Sequence, residues 1–381
     1  MDRLVIFLGY INDTENDTWP TSNDTNFSRH HHGNVVDEPG FRHDDLYEVP
    51  LDVIIILSFC YGTVSLLSVV GNMMVLYIVA SSRRMQTVTN YFIANLAVAD
   101  IIIGAFAIPF QFQAALLQRW LLPNFMCPFC PYVQVLSVSV SIFTLVAIAV
   151  DRYRAVMSPL KARTCTKLNA KMLILLIWIV SCVAASPNAA ALRVTMIRDG
   201  DTGNVDRPFC HNALWDPFAW KVYNHGLVCV QYFLPLIAVC YTYGKILRRL
   251  RRSRAPGNTE IVRDANILRN KRKVIKMMAV LVTTFAMCWL PYQSYNLLSD
   301  LYPEINTYRY INVIWFSCHW LAMSNSCYNP FIYAIYSEKF SAEFKSRVRC
   351  FLKRRLEDSA YFPTSMATQT SLRMHLSKER G

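Results

Sequence analysis

The sequence predicts an all-α membrane protein: a seven-transmembrane helix bundle followed by a short amphipathic helix. Three observations predict it. Of the 381 residues, 53% are hydrophobic and only 17% charged, against about 25% charged in a soluble protein. The apolar residues fall into seven blocks of spanning length: Val53–Ala80, Tyr91–Leu117, Cys127–Val150, Met172–Leu192, Val222–Leu247, Val274–Leu298 and Tyr308–Tyr336. About 20 residues cross a bilayer's hydrocarbon, and every block suffices. Finally, basic residues alternate across the blocks. Of the 39 Lys and Arg, 30 fall on one side: Arg83 and Arg84, six from Arg152 to Lys171, twelve from Lys245 to Lys276, and ten from Lys339 on. The positive-inside rule places that side in the cytoplasm and the N-terminus outside.

Segment 1–52 is polar and acidic, with four N-x-S/T sequons at Asn12, Asn16, Asn23 and Asn26. It reads as an extracellular glycosylated tail. The bundle then occupies 53–336. "SEKFSAEFKSRVRCF" predicts an amphipathic helix over 337–352 with Cys350 as a palmitoylation site, and 353–381 is a cytoplasmic tail. The net charge of +13 is explained by basic loops facing anionic lipid, so no nucleic-acid partner is implied. Among twelve cysteines, Cys127, Cys130 and Cys210 lie in oxidising space. A Cys127–Cys210 bridge is expected, with Cys130 as a competing partner.

Polar residues inside spans are candidates for function or for helix–helix hydrogen bonding. They are Asn72 in span 1, Asp100 in span 2, Ser137, Ser139 and Ser141 in span 3, and Asn325, Ser326 and Asn329 in span 7. Asp100 is the only carboxylate deep in a span, so it must be paired, hydrated, protonated or bound to a cation. With Asn72, Ser141, Asn325 and Asn329 it could enclose water and sodium. Pro109, Pro187, Pro235, Pro291 and Pro330 lie in or near five spans. Each frees a carbonyl and permits a kink, as in a bundle built to change shape. At one end of span 3, Asp151 and Arg152 stand side by side in "VDRYRAV", where the arginine can be neutralised in one state and released in another.

In order along the chain stand "GN" with Asn72, "LAVAD" with Asp100, "DRY" at Asp151–Tyr153, Trp178, Pro235 with Tyr243, "FAMCWLP" and "NPFIY". This set resembles the rhodopsin-like (class A) G-protein-coupled receptors. The resemblance implies an extracellular Cys127–Cys210 disulfide and a sodium and water pocket at Asp100, Ser141, Asn325 and Asn329. It implies a toggle at Trp289 with the Pro291 kink, and moving parts at Asp151, Arg152, Tyr243, Asn329, Pro330 and Tyr333. One departure stands out. Lys271 occupies the place where many relatives carry an acid that holds the DRY arginine, so Asp151 is the expected restraint instead.

Span 3 carries neutral Gln134 where an amine receptor would carry aspartate, and span 7 has no lysine for retinal. A mouth of Gln111, Gln113, Gln134, Tyr292, Gln293, Asn296, Trp315 and His319 suits a peptide bound by neutral hydrogen bonds and stacking. The stretch Ile108–Leu145 resembles invertebrate leucokinin-type receptors most closely. That resemblance implies an amidated kinin-type neuropeptide and calcium signalling, with another tachykinin-like peptide as the alternative. It also implies a plasma-membrane location, a heterotrimeric G protein of the Gq type, arrestin and receptor kinases. A transporter would show internal repeats, and an intramembrane enzyme a zinc helix or a second deep carboxylate. The chain has neither, so no enzyme activity is expected.

Overall fold

In the computed structural model, residues 51–117, 119–157, 167–198, 206–252, 261–308 and 310–350 are described; for 197–198, 206–207, 250–252 and 261–272 this means the backbone only. The four sequons, nearly all of 1–52 and all of 353–381 lie outside the described residues, as does the Lys271 side chain. The helices are α1 (Leu51–Ser81), α2 (Val88–Phe106), α3 (Ile108–Leu117), α4 (Met126–Met157), α5 (Lys167–Ala191), α6 (Pro217–Val228), α7 (Leu234–Arg252), α8 (Ile261–Leu301), α9 (Ile311–Tyr336) and α10 (338–350). Spans 1 to 7 are therefore α1, α2 with α3, α4, α5, α6 with α7, α8 and α9.

Among the described residues, six helices are long and apolar enough to cross a membrane. Span 7 is as long, at 26 residues, but its polar side chains dilute it. Their burial explains why a greasy environment tolerates them, since Ser324, Asn325, Ser326 and Asn329 all face protein. Span 3 is the central helix. Its spanning window is 67% buried, against 17% for span 1 and 22% for span 4 at the rim. Span 3 packs on spans 2, 4 and 5, and span 7 packs on spans 1 and 6. Spans 5 and 6 meet only sparsely.

Proline chemistry sets the breaks. Pro109 has no N–H for the carbonyl four residues back, and span 2 breaks at Ala107 before α3 resumes. Pro235 likewise cannot bond Gln231, and a π-turn at Cys229–Phe233 absorbs the mismatch. Span 5 starts five residues before the predicted Val222. Asp216 caps it by accepting from the Ala219 N–H at 3.0 Å, and Pro217 supplies a preset first turn. Spans 1 and 2 approach closely at Gly104, where a Cβ would sit 2.9 Å from Ser68. There Ser65 and Ser68 donate to the carbonyls of Gly104 and Asp100 at 2.6 and 2.7 Å.

The all-α expectation requires one amendment. Strand β1 (Leu192–Arg198) pairs antiparallel with β2 (Asp206–Asn212), with Val194 opposite Cys210. The Cys127–Cys210 disulfide, 5.6 Å between Cα atoms, fastens this hairpin to the start of span 3. Trp120 adds a bond from its N–H to the Pro208 carbonyl at 2.7 Å. Cys130 is buried and free, so it does not compete for Cys210.

Candidate functional site

Three polar arrangements run through the bundle. The first lies at the disulfide end. A cavity of about 420 Å³ opens between spans 3, 5 and 6, lined among others by Gln134, Gln231, Trp289, Tyr292, Gln293 and Asn296. Its volume is within the range of small-ligand and peptide-anchor sites. Gln293 is 9% exposed, and its Oε1 has no hydrogen-bond partner; neither has Asn296 Oδ1 or the Trp289 indole N–H. Buried polar atoms left unpaired are uncommon and call for an explanation. Gln231, which sequence reasoning passed over, is tied down instead. The π-turn aims its Nε2 at Ser139 Oγ, 2.7 Å away, bracing span 5 on span 3. At the rim, His225 Nε2 meets Asp300 Oδ2 at 3.2 Å.

The predicted mouth does not form one wall. Gln134, Tyr292, Gln293 and Asn296 line the cavity. Gln113 is exposed and Gln111 is buried in α3 away from it. His319 and Trp315 belong to a packed aromatic cluster between spans 1, 2, 6 and 7. Their rings stack at 4.9 Å, and Tyr61 stacks on Phe112 at 4.3 Å. The Tyr61 hydroxyl donates to the Phe316 carbonyl at 3.0 Å and lies 2.9 Å from His319 Nδ1. One hydroxyl has one proton, so Tyr61 accepts from a protonated Nδ1. Tyr292 edges against Trp289, Trp315 and His319 and so links cluster to cavity. Nothing local in the sequence distinguishes Tyr61 from any other interfacial tyrosine.

The second arrangement is the polar core. Asn329 donates Nδ2 to Asp100 Oδ2 at 2.6 Å, across 229 residues. Asn72 donates to the carbonyls of Ser68 and Ser326 at 2.8 and 2.9 Å. Ser141 and Asn325 are both buried. A second knot was legible only in part. Asn95 donates to Thr144 Oγ1 and accepts from the Trp178 indole, both at 2.8 Å, joining spans 2, 3 and 4. Gly71 lies against Pro330, where a Cβ would approach the ring to 3.0 Å, so the span 7 kink fits into span 1.

The third lies at the opposite end. Arg152 is held by Asp151, with Nε to Oδ2 at 3.1 Å, and its Nη2 also reaches Asp151 and Thr89. A cavity of about 630 Å³ opens beside it between spans 2, 3, 6 and 7. Tyr243 and Tyr333 are packed nearby with hydroxyls that have no partner. Tyr333 is fully buried and stacks on Phe340 of α10 at 5.4 Å. Cys350 is exposed.

A membrane bundle with a ligand-sized cavity at one end, a restrained arginine at the other and a buried carboxylate between them has the layout of a transmembrane receptor. The chain belongs to the rhodopsin family of seven-transmembrane receptors, whose family model matches residues 71–333. It is 37% identical over 291 residues to the RYamide receptor of Drosophila melanogaster, which covers 76% of this chain. It is 33% identical over 299 residues to the tachykinin-like peptides receptor 99D of the same species, again over 76% of this chain. The human substance-P receptor is 33% identical over 297 residues, covering 78% of this chain and 72% of that protein. The chain spans 62% and 56% of the lengths of the two fly receptors.

Proposed function

We propose that this protein is a plasma-membrane receptor for a short amidated neuropeptide of the RYamide or tachykinin kind. It passes the signal to a heterotrimeric G protein, of the Gq type that releases calcium. The observation that carries this reading is the cavity whose buried Gln293 and Asn296 oxygens have no partner. An amide-terminated peptide has N–H donors for them and no carboxylate that would need a buried cation. Asp300 at the rim suits a basic residue of such a peptide. The relatives move the ligand expectation from the kinins to the RYamide and tachykinin group. The Ile108–Leu145 stretch keeps a kinin as the second reading.

The excess of Lys and Arg in the loops at the DRY end supports a cytoplasmic position for it, which would leave the tail available to receptor kinases and arrestin. Glycans on the N-terminal sequons and an acyl chain on Cys350 belong to the same reading. Binding must favour an open bundle by contacts made only there. Trp289 and the Pro291 kink would carry the change to span 6. Tyr243, Tyr333 and Arg152 would exchange partners as the cytoplasmic cavity widens. Asp100 with Ser141, Asn325 and Asn329 supplies one carboxylate and neutral oxygens, a donor set for sodium. Asn329 would have to turn its Nδ2 away from Asp100 to admit the ion.

The test is a calcium assay in cells expressing this chain, challenged with RYamide, tachykinin-type and kinin peptides. A response to one class assigns the ligand. Gln293→Ala and Asn296→Ala should each shift the dose–response at least roughly ten-fold, about 1.4 kcal/mol. Two curves that overlay the parent's at equal surface expression would place the peptide elsewhere.

A further inference from the structure

The cytoplasmic end carries a second charged contact that the DRY pair does not explain. Lys273, at that end of span 6, makes an ion pair with Glu338, the first residue of α10. Both side chains line the cavity beside Arg152, one from span 6 and the other from α10. Helix α10 is itself anchored. Arg347 donates to the Tyr77 hydroxyl at 2.8 Å and to Ser81 Oγ at 2.9 Å, and its guanidinium lies 4.8 Å from the Tyr77 ring centre. Ser82 donates to Glu343 at 3.1 Å. Phe340 of the same helix is 1% exposed and stacks on Tyr333. So α10 is fixed to span 1 by one face, packs on the span 7 tyrosine by another, and holds span 6 by its first residue.

We propose that Lys273–Glu338 is a strap that closes the cytoplasmic cavity, tying span 6 to α10 where Lys271 cannot tie it to Arg152. The charges are reversed relative to a lock on the arginine: the moving helix supplies the cation and the fixed helix the anion. Outward movement of span 6 must separate this pair. Rearrangement of Tyr333 must unstack Phe340 on the same helix, so α10 couples the two events. The Lys273 side chain is 41% exposed and that of Glu338 75%. The strap is therefore weak and readily released, a bias on the equilibrium and not a clamp.

The inference concerns the closed arrangement of the bundle, and only its consequence for signalling rests on the proposed G-protein coupling. The test is a charge-swap cycle on the full chain in lipid nanodiscs: Lys273→Glu, Glu338→Lys, and both together. Both side chains are in contact with solvent, 41% and 75% exposed, so the variants should fold. Spin labels introduced as unnatural amino acids at positions 84 and 276 report the separation of the loop after span 1 from span 6 without ligand. Basal nucleotide exchange on a Gq protein is measured in parallel. Each single reversal should raise the open fraction, and basal exchange with it, about two- to five-fold, and the swap should return both to the parent's level. Single variants with unchanged label distances, or a swap no nearer the parent than either single, would overturn the strap. Distances that respond and recover without any change in exchange would uphold the strap and count against the coupling.

Discussion

Spans 1, 2, 3, 4 and 7 are stitched to one another by several side-chain bonds, whereas spans 5 and 6 face each other across a cavity and share the bond from the Tyr232 hydroxyl to the Ala286 carbonyl. On the stitched side, Asn95 binds both Thr144 and Trp178, Asn329 binds Asp100, and Ser65 and Ser68 bind carbonyls of span 2. On the cavity side, Trp289, Gln293 and Asn296 of span 6 each bury a polar atom with no partner. A polar group in hydrocarbon costs free energy until it is bonded. The stitched side has met much of that cost within the chain, with Asn72 Oδ1, Ser137 Oγ, Ser181 Oγ and the Tyr333 hydroxyl among the exceptions. A partner supplied to the unpaired atoms of span 6 would change which arrangement is most stable. The comparison separates a frame from a moving part.

The largest expected effect comes from detaching the hairpin from the start of span 3. Cys127→Ser removes a bridge closing 83 residues and should cost about 2–5 kcal/mol. It would be read as lost surface expression and a lower melting temperature. Next is Asn95→Leu, which strands the Trp178 N–H and should cost roughly 1–3 kcal/mol. Peptide affinity per folded receptor should hold, because Asn95 is in the frame. Gln293→Leu should do the reverse, preserving or raising the melting temperature while potency falls about ten-fold or more. If Gln293→Leu destabilises as much as Asn95→Leu, the division between frame and moving part is wrong. Asp100→Asn keeps an oxygen for Asn329 but removes the charge. The melting temperature should change little, and any effect of sodium on agonist affinity should vanish in a sodium titration.

The smallest effect is a pH dependence in the hairpin. His211 accepts from Thr195 at Nε2, 2.5 Å away, and donates Nδ1–H to the Asn212 carbonyl at 3.0 Å. Both bonds suit the neutral ring, and burial holds its pKa below the ordinary 6.5. The unfolded chain therefore binds the proton more readily. The hairpin keeps its full stability above about pH 6.5 and loses some as pH falls through that value. Thermal unfolding at pH 7.5 and 5.5 should differ by roughly 1–2 °C, and His211→Gln should abolish the difference.

Much of the frame was legible because its signals are local. Seven apolar blocks, five prolines and the polar residues of spans 1, 2, 3 and 7 are visible residue by residue. Asn95 and Gln231 were equally visible as polar residues in apolar runs, yet their partners, Trp178 and Ser139, lie in other spans. The hairpin had a local signal too, in β-branched "RVTMI" followed by "DGDTGN", a turn-rich stretch. The cavity wall was harder. Gln293 and His319 look alike as polar residues near the ends of their spans, but one lines a cavity and the other is locked against Tyr61.

By itself the sequence determined the class of protein, the number of spans and which side chains could not face lipid. Those follow from transfer free energies and helix periodicity, which depend on each residue and its near neighbours. Only the tertiary structure decided which polar groups are paired and which are left unpaired. It also decided that Lys273 reaches Glu338 at the cavity beside Arg152. Pairing depends on the rotation and kink of each helix against the next. A turn of one residue, about 100°, is enough to move a side chain from a partner to a cavity.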